Sequence, residues 1–389
     1  MPEKITATYK IVTPMFIGDA EQKATTISPA SIKGALRFWW RALNWGQIRQ
    51  THDSDVDALQ QLHREEGALF GSAVDGASQQ AKFLLQIREE FKAAETFLFR
   101  DSGIRYLLGQ GLFDYKKGCL RDAIPPSTFA VDCRLHPKLS IIQKKQLSDA
   151  LLALGTMGGL GSRARKGFGS LSIQRLIVGE QVQEIPADIT ELKSLYLKWQ
   201  QSVEQPPFTA FSKLSRIDVS LKGMLPMDLL NKAGLELQLY RSYGRKQREG
   251  SDHKVGSQKA EQNFKDDHDL LWNSAANTPP SSIPRRTVFG LPHNYFFSSN
   301  NKKVDFTLKE KNRGRRASPL FMHIHEFVNG QVLLIQILMP ADFVSQGDKL
   351  EFNYGRSAGN IYFNQNWIEW GVVHEYMNRF NSGEVLYGA

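Results

Sequence analysis

Lys33, Arg37 and Arg41 recur every four residues in the segment SIKGALRFWWRAL, residues 31–43. On a helix they form one stripe, and like charges four apart repel by a few tenths of a kcal/mol per pair. No Asp or Glu lies between Ala30 and Gln50 to relieve that repulsion. The stripe therefore calls for an anion from outside, and phosphates spaced along a nucleic-acid strand suit it; a solvated helix face is the plain alternative. Residues 155–170, GTMGGLGSRARKGFGS, hold a second cluster: Gly159 and Gly161 among five glycines from Gly158 to Gly169, with Arg163, Arg165 and Lys166. Glycine allows tight turns that expose backbone N–H groups, and such donors beside cations suit a phosphate-binding concavity. The loop is not a Walker motif, because Lys166 is followed by Gly167-Phe168. Nor is it a dinucleotide fingerprint, since its glycine spacing differs and it leads into a strand.

Further cations lie in the second half. Arg285 and Arg286 follow a proline-rich breaker, and Lys311, Arg313, Arg315 and Arg316 surround Gly314. Arg241, Tyr243, Arg245, Lys246 and Arg248 mix charge with a ring able to stack on a base. Each patch suits RNA, a solvated surface or a docking subunit.

Catalytic patterns are weaker. His323 and His325 alternate on one expected strand, a spacing usable for a metal or an acid–base pair. No cysteine or carboxylate cluster adjoins them, and packed histidines are the simpler reading. Asp266-Asp267-His268-Asp269 contains a His-Asp pair without the further partners of a metal site; it reads as a helix start, acids near the positive end of the dipole. Serine-nucleophile signatures are absent. The residues thus point to no catalytic group, no metal and no cofactor. The alternative is an RNA-cleaving enzyme with His323 as general base.

The elements that position these residues follow from periodicity. Residues 4–12 alternate as a strand, and a helix spans about 31–44, with Ile32, Leu36, Trp39 and Leu43 as its apolar stripe. Gly34 costs about 1 kcal/mol there relative to Ala, which suggests a close backbone approach. Phe38 and Trp40 lie off the stripe as interface candidates. A second helix over 54–70, strands at 82–88 and 128–135, a helix over 142–154 and a strand at 168–178 complete a β-α-β-β-α-β order, the ferredoxin-like plan of RNA-recognition modules. A helix over 189–202 leads to Pro206-Pro207. Then come a strand at 216–222, a helix at 228–240, a polar stretch at 244–262, strands near 286–291, 304–308, 320–327 and 331–339, and a helix at 366–380. The expected class is α+β: two ferredoxin-like (RRM-like, βαββαβ) domains with insertions, at 1–183 and 210–389, joined by 184–209.

Composition sets the class. With 389 residues, 41% hydrophobic and 23% charged, the chain can bury two cores. No apolar run approaches the roughly 20 residues of a membrane span, the N-terminus lacks an export signal, and two cysteines cannot build a disulfide framework. A soluble cytoplasmic protein with no membrane partner is the expectation. Net charge is +9. Residues 1–178 hold 24 basic against 17 acidic side chains, and 285–316 hold nine against two. Concentrated positive charge favours a polyanionic partner.

Several of these motifs recur together in one family. Thr13–Gly18, IKGALRFWWR at 32–41, and Gly158–Arg163 followed by Lys166-Gly167-Phe168-Gly169 resemble the RAMP superfamily of CRISPR-associated proteins. The glycine loop is similar to the superfamily at large. The Trp-Trp helix and the RRASPL segment, Arg315–Leu320, are similar to the first-numbered Cmr subunits of type III-B RNA-targeting complexes. The resemblance is strongest over 1–178. It implies a ribonucleoprotein effector subunit near the 3′ end of the guide RNA, with guide RNA, single-stranded target RNA and other Cmr or RAMP subunits as partners. Target cleavage would belong to a different subunit. The RNA-contacting residues it implies are Lys33, Arg37, Arg41, Gly159, Gly161, Arg163, Arg165 and Lys166, with Arg285, Arg286, Arg313, Arg315 and Arg316 as second-half candidates.

Overall fold

The computed structural model describes residues 3–388 except 20, 22, 74–77, 90–93, 244–253, 256, 275–279, 281, 298–300, 310–313, 346, 355–356 and 381–382. The chain opens with β1 (Lys4–Ile11), whose inward residues Ile5, Ala7, Tyr9 and Ile11 are fully buried. Helix α1 (Pro29–Gln50) starts where Ser28 Oγ accepts the Ser31 N–H at 3.1 Å and Pro29 takes the first helical position. Its expected stripe of Ile32, Leu36, Trp39 and Leu43 is buried. Helix α2 (Asp55–Phe70) is capped by Ser54 and packs against α1. Then follow β2 (Phe83–Glu89), a short helix α3 (Ser102–Leu108), the small hairpin β3 (Phe113–Asp114) and β4 (Gly118–Cys119), and β5 (Thr128–Leu135). Helix α4 (Ile141–Met157) begins with a reciprocal Ser140–Gln143 capping box and leads through the glycine loop to β6 (Leu171–Val178) and β7 (Gln181–Gln183). The sheet order is β2-β5-β1-β6-β7, with antiparallel neighbours throughout.

Helix α5 (Ile189–Lys198) leads to β8 (Arg216–Lys222) and α6 (Pro226–Tyr240). After a two-residue hairpin of β9 (Lys254–Val255) and β10 (Gln258–Lys259) come α7 (Lys265–Ser274), a 3-10 turn at Arg285–Phe289, β11 (His293–Phe297) and β12 (Lys302–Leu308). The chain then forms β13 (Leu320–Glu326), β14 (Val332–Leu338), β15 (Lys349–Tyr354), β16 (Ser357–Tyr362), α8 (Gly371–Met377) and β17 (Glu384–Tyr387). The order β13-β14-β8-β17 in this sheet matches β2-β5-β1-β6 strand for strand, again with antiparallel neighbours. Strands β11, β12, β15 and β16, from insertions before β13 and after β14, make a separate four-stranded sheet.

The halves are joined by hydrogen bonds at an edge. Strand β13 ends its sheet, so Met322, Ile324 and Glu326 turn their N–H groups outward. Arg165 O accepts the first at 3.1 Å, Ser170 Oγ the second at 3.1 Å and Ser172 Oγ the third at 2.8 Å. An edge that would otherwise template another strand is thereby satisfied within the chain. One continuous apolar cluster, including Tyr9, Trp39, Phe211, Phe321 and Tyr387, crosses this junction.

Several expectations need correction. The strand expected at 286–291 is the 3-10 turn, because the buried Asp267 carboxylate accepts the N–H groups of Arg285 and Arg286, at 2.6 and 2.9 Å, and fixes a helical start. Gly34 is exposed with nothing within 4 Å of a Cβ, so no close backbone approach explains it. Trp40 is fully buried, since its ring packs against Phe70 of α2 and Nε1 reaches Gln146 of α4. The closing helix is limited to 371–377, and β17 after it was not anticipated. Most of the polar stretch at 244–262 lies outside the described residues.

Candidate nucleic-acid interface

The stripe on α1 meets an anion from within the protein. Glu66 of α2, 5% exposed at its side chain, lies 3.0 Å from Arg41 Nη1 and 3.4 Å from Arg37 Nη1. Arg37 also donates to the carbonyl of Gly71 and stands 5.7 Å over the Phe70 ring. The absence of acids within the helix is thus compensated across the α1–α2 contact, which sequence spacing could not reveal. Lys33 has no carboxylate partner among the described residues; burial, then Arg37, lowers its pKa. With Arg37 it flanks a groove along α2.

Much of the glycine loop's backbone is committed. The N–H groups of Leu160, Ser162, Ala164, Lys166, Gly167, Phe168, Gly169 and Ser170 all donate within the fold. These bonds fold the loop on itself and on residues 13–16. A Cβ on Gly159 would come within 2.8 Å of Gly169 O, and one on Gly161 within 2.6 Å of Phe16 O. Gly161 also has φ +85°. These glycines permit close backbone packing that aims the loop's side chains.

Those side chains diverge. Arg165 turns into the junction, where Nη1 donates to Ser318 O at 2.7 Å and the guanidinium lies 4.4 Å over Phe321 and 5.5 Å over Phe38. Arg163, held at φ 65° with Nη2 on Gln110 O at 2.9 Å, and Lys166 face the opposite side. They line a cleft of about 370 Å³, together with Arg241 at the end of α6, Arg286 of the 3-10 turn, Tyr106 of α3, and His293 and Tyr295 of β11. No carboxylate is among the described lining residues.

Electrostatics in the cleft is one-sided. Burial, followed by Arg241, Arg163 and Arg165, brings the Lys166 ammonium down to about 7. Burial, with Arg241 and Arg286, keeps His293 well below the usual imidazole range, so it is neutral; its Nδ1 lies 3.2 Å from the Tyr295 hydroxyl. Arg286 is the paired cation, 3.3 Å from Asp267, with its guanidinium 4.7 Å over Tyr295. Arg241 lies 5.2 Å over Phe289, and its buried Nε has no hydrogen-bond partner among the described residues. Cations crowded this way, with Asp267 engaging only Arg286 of the four, suit an external anion.

Of the expected residues, the fold gathers Arg163, Lys166 and Arg286 here, while Lys33 and Arg37 line a separate groove and Arg41, Arg165 and Arg316 another. Arg285 pairs with Glu369 at 3.1 Å. Arg316 donates to Asp342 O at 3.0 Å and covers Phe343, and Arg315 is exposed. Arg313, with Lys311, Arg245, Lys246 and Arg248, lies outside the described residues. Arg241 was visible in sequence only as part of a basic patch. Tyr106, His293 and Tyr295 gave no local signal, because only the fold brings α3 and β11 of the insertion sheet to the loop.

The histidine pair faces inward. His323 and His325 are each 1% exposed at the junction, and burial is the largest cause that lowers both pKa values, His325 to about 3. Neutral imidazoles closed off from solvent cannot reach a substrate hydroxyl, which removes the structural basis for His323 as general base. Among the described residues no group of three or more His, Cys, Asp or Glu could hold a metal, and no helix is long and apolar enough to cross a membrane.

Residues 8–172 match the model of the RAMP superfamily. Two proteins of Pyrococcus furiosus align with this chain. CRISPR system Cmr subunit Cmr1-2 is 27% identical over 183 residues, covering 42% of this chain and 92% of that protein. CRISPR system Cmr subunit Cmr1-1 is 30% identical over 166 residues, covering 42% of this chain and 45% of that protein. Among solved structures, apo Cmr1 from Pyrococcus furiosus superimposes with a TM-score of 0.54 at 18% identity over 99% of both chains. A chain of the type III-B Cmr-beta complex bound to cognate target RNA gives 0.53 at 12% identity over 98% of this chain and 99% of that one. At those identities the two superpositions speak to the fold alone.

Proposed function

We propose that this chain, a RAMP superfamily protein over residues 8–172, is a non-catalytic RNA-binding subunit of a type III-B Cmr ribonucleoprotein effector complex. It would contact guide RNA, target RNA or both towards the guide 3′ end, beside other Cmr and RAMP subunits in the cytoplasm. The observation that carries the RNA role is the convergence of Arg163, Lys166, Arg241 and Arg286 on one cleft with no carboxylate among its described lining residues. Cations of this kind supply the sequence-independent part of affinity, and sequence would be read by guide–target pairing, as in other RNA-guided systems. The homology to Cmr subunits supports the assembly.

We read the two halves as ferredoxin-like domains, 1–183 and 210–389, joined by 184–209. Support comes from the shared order β1-α1-β2-β5-α4-β6 and β8-α6-β13-β14-α8-β17 with the same strand neighbours. In this arrangement the glycine loop, just before the last strand of the first domain, abuts the second domain, and the cleft opens between them.

Filter binding of single-stranded RNA to the full chain over a salt series tests the role. Lys166→Ala with Arg241→Ala is expected to weaken binding and reduce the slope of log K against log salt by up to about 1.4, two contacts at roughly 0.7 each. An unchanged slope removes the cleft from the RNA path.

A further inference from the structure

A phosphate needs only cations and N–H donors, yet the cleft beside the glycine loop is also lined with rings. Tyr106 and Tyr295 border it, and Asn294 lies exposed at its margin with an amide able to donate and accept. Its volume of about 370 Å³ falls at the small end of the roughly 300–1,000 Å³ common for small-molecule sites. That is far more space than a phosphate requires, and too little for a duplex.

The Tyr295 ring is held in place. Arg286 is fixed by Asp267 at 3.3 Å and lies 4.7 Å over Tyr295, whose hydroxyl meets His293 Nδ1 at 3.2 Å. A ring clamped by a guanidinium and a neutral imidazole loses little freedom when a base packs against it. Arg163 and Lys166 approach from the loop and Arg241 from α6, and the ammonium of Lys166 has no ion-pair partner among the described residues. The cleft thus combines a cationic wall with an aromatic one.

We infer that this cleft receives one nucleotide of single-stranded RNA, its phosphate against Arg163, Lys166 and Arg241 and its base against Tyr295 and Tyr106. The inference rests on the RNA-binding reading above and deepens it: the subunit takes hold of an unpaired nucleotide as well as the backbone. Paired bases would be excluded, because a base within a duplex presents no free face to the rings.

Lys166 provides the probe. An amine that titrates near neutrality is far more acylated at pH 7 than ordinary surface lysines. The full chain is treated with limiting acetic anhydride at pH 7, and Lys166 acetylation is read by mass spectrometry in the presence of adenosine or uridine 5′-monophosphate, ribose 5-phosphate, or a short single-stranded RNA. The nucleotides are expected to protect Lys166 at concentrations about 5- to 100-fold lower than ribose 5-phosphate, the range that stacking one base supplies. Tyr295→Ala with Tyr106→Ala should close that gap while leaving protection by ribose 5-phosphate unchanged, which also shows that the variant is folded. Equal protection by nucleotide and ribose 5-phosphate in the unaltered protein overturns the nucleotide seat but leaves the RNA reading standing if the RNA still protects. Failure of the RNA itself to protect Lys166 overturns both.

Discussion

The Arg41 guanidinium lies 3.0 Å from the carboxylate of Glu66, and that carboxylate is almost wholly removed from solvent. A single acid on α2 therefore serves Arg41 and, at 3.4 Å, Arg37. Breaking a buried ion pair by removing one partner is costly because the other charges lose their compensation. Both arginines keep about a third of their side-chain surface exposed, which moderates the cost. Glu66→Gln is expected to destabilise the protein by about 1–2 kcal/mol, read as a lower midpoint in denaturant without a change in m. If the α1 stripe also touches RNA, the same variant binds RNA more tightly. Tighter binding without loss of stability contradicts the structural role.

The two cationic surfaces are expected to respond differently to neutralisation. Because Glu66 already engages Arg37 and Arg41, Lys33→Ala with Arg37→Ala and Arg41→Ala should reduce the salt slope by less than the roughly 2.1 that three free phosphate contacts would give. The full reduction would mean that RNA displaces Glu66 from the arginines.

Lys166 makes binding depend on pH. Its ammonium is charged below about pH 7 and neutral above it in the free protein, so RNA affinity should fall as pH rises from 6 to 8.5. Lys166→Arg should flatten that profile, because guanidinium stays protonated throughout. The sign for stability is opposite. An unfolded chain holds the lysine proton up to about pH 10.4, so between about pH 7 and 10 it binds more protons than the folded chain, and this residue's contribution to stability rises with pH. Urea denaturation of the unaltered protein and of Lys166→Met at pH 6.5 and 9 isolates it: the variant should gain most at the lower pH.

Ser170 and Ser172 hold the edge of β13. Each Oγ accepts an N–H that has no other strand to meet, from Ile324 and Glu326 respectively. Replacing both by Ala leaves two backbone donors unsatisfied at the junction, at about 1–3 kcal/mol each. Hydrogen exchange at Ile324 and Glu326 should accelerate selectively. Unchanged protection there would show that the junction is held by apolar packing and its other hydrogen bonds, such as Met322 N–H to Arg165 O, without the two serines.

How much of this could be read from sequence depends on whether the cause was local. The buried stripe of α1 and strands such as 128–135 and 216–222 follow from spacing and match the observed elements. Local signals failed where the partner is distant in sequence. Trp40 reads as free for an interface because Phe70 of α2, which covers it, lies thirty residues on. Residues 286–291 look like a strand, but Asp267 from another helix sets them as a 3-10 turn. In the candidate site, Arg163 and Lys166 announced themselves through the glycine loop. Their neighbours His293 and Tyr295 did not, since an ordinary-looking strand in an insertion reaches the cleft only in three dimensions. The loop's glycines point by type to a backbone cradle, while the close packing that Gly159 and Gly161 permit against Gly169 O and Phe16 O is set by segments that only the fold brings together.

The central claim is tested most directly by recovering the protein from its native host under gentle conditions and sequencing the RNA that accompanies it. Small RNAs carrying repeat-derived 5′ tags, together with other Cmr subunits, and their loss when Lys166 and Arg241 are both replaced by Ala, are the predicted result. Recovery of the folded protein at low salt without such RNA would contradict it.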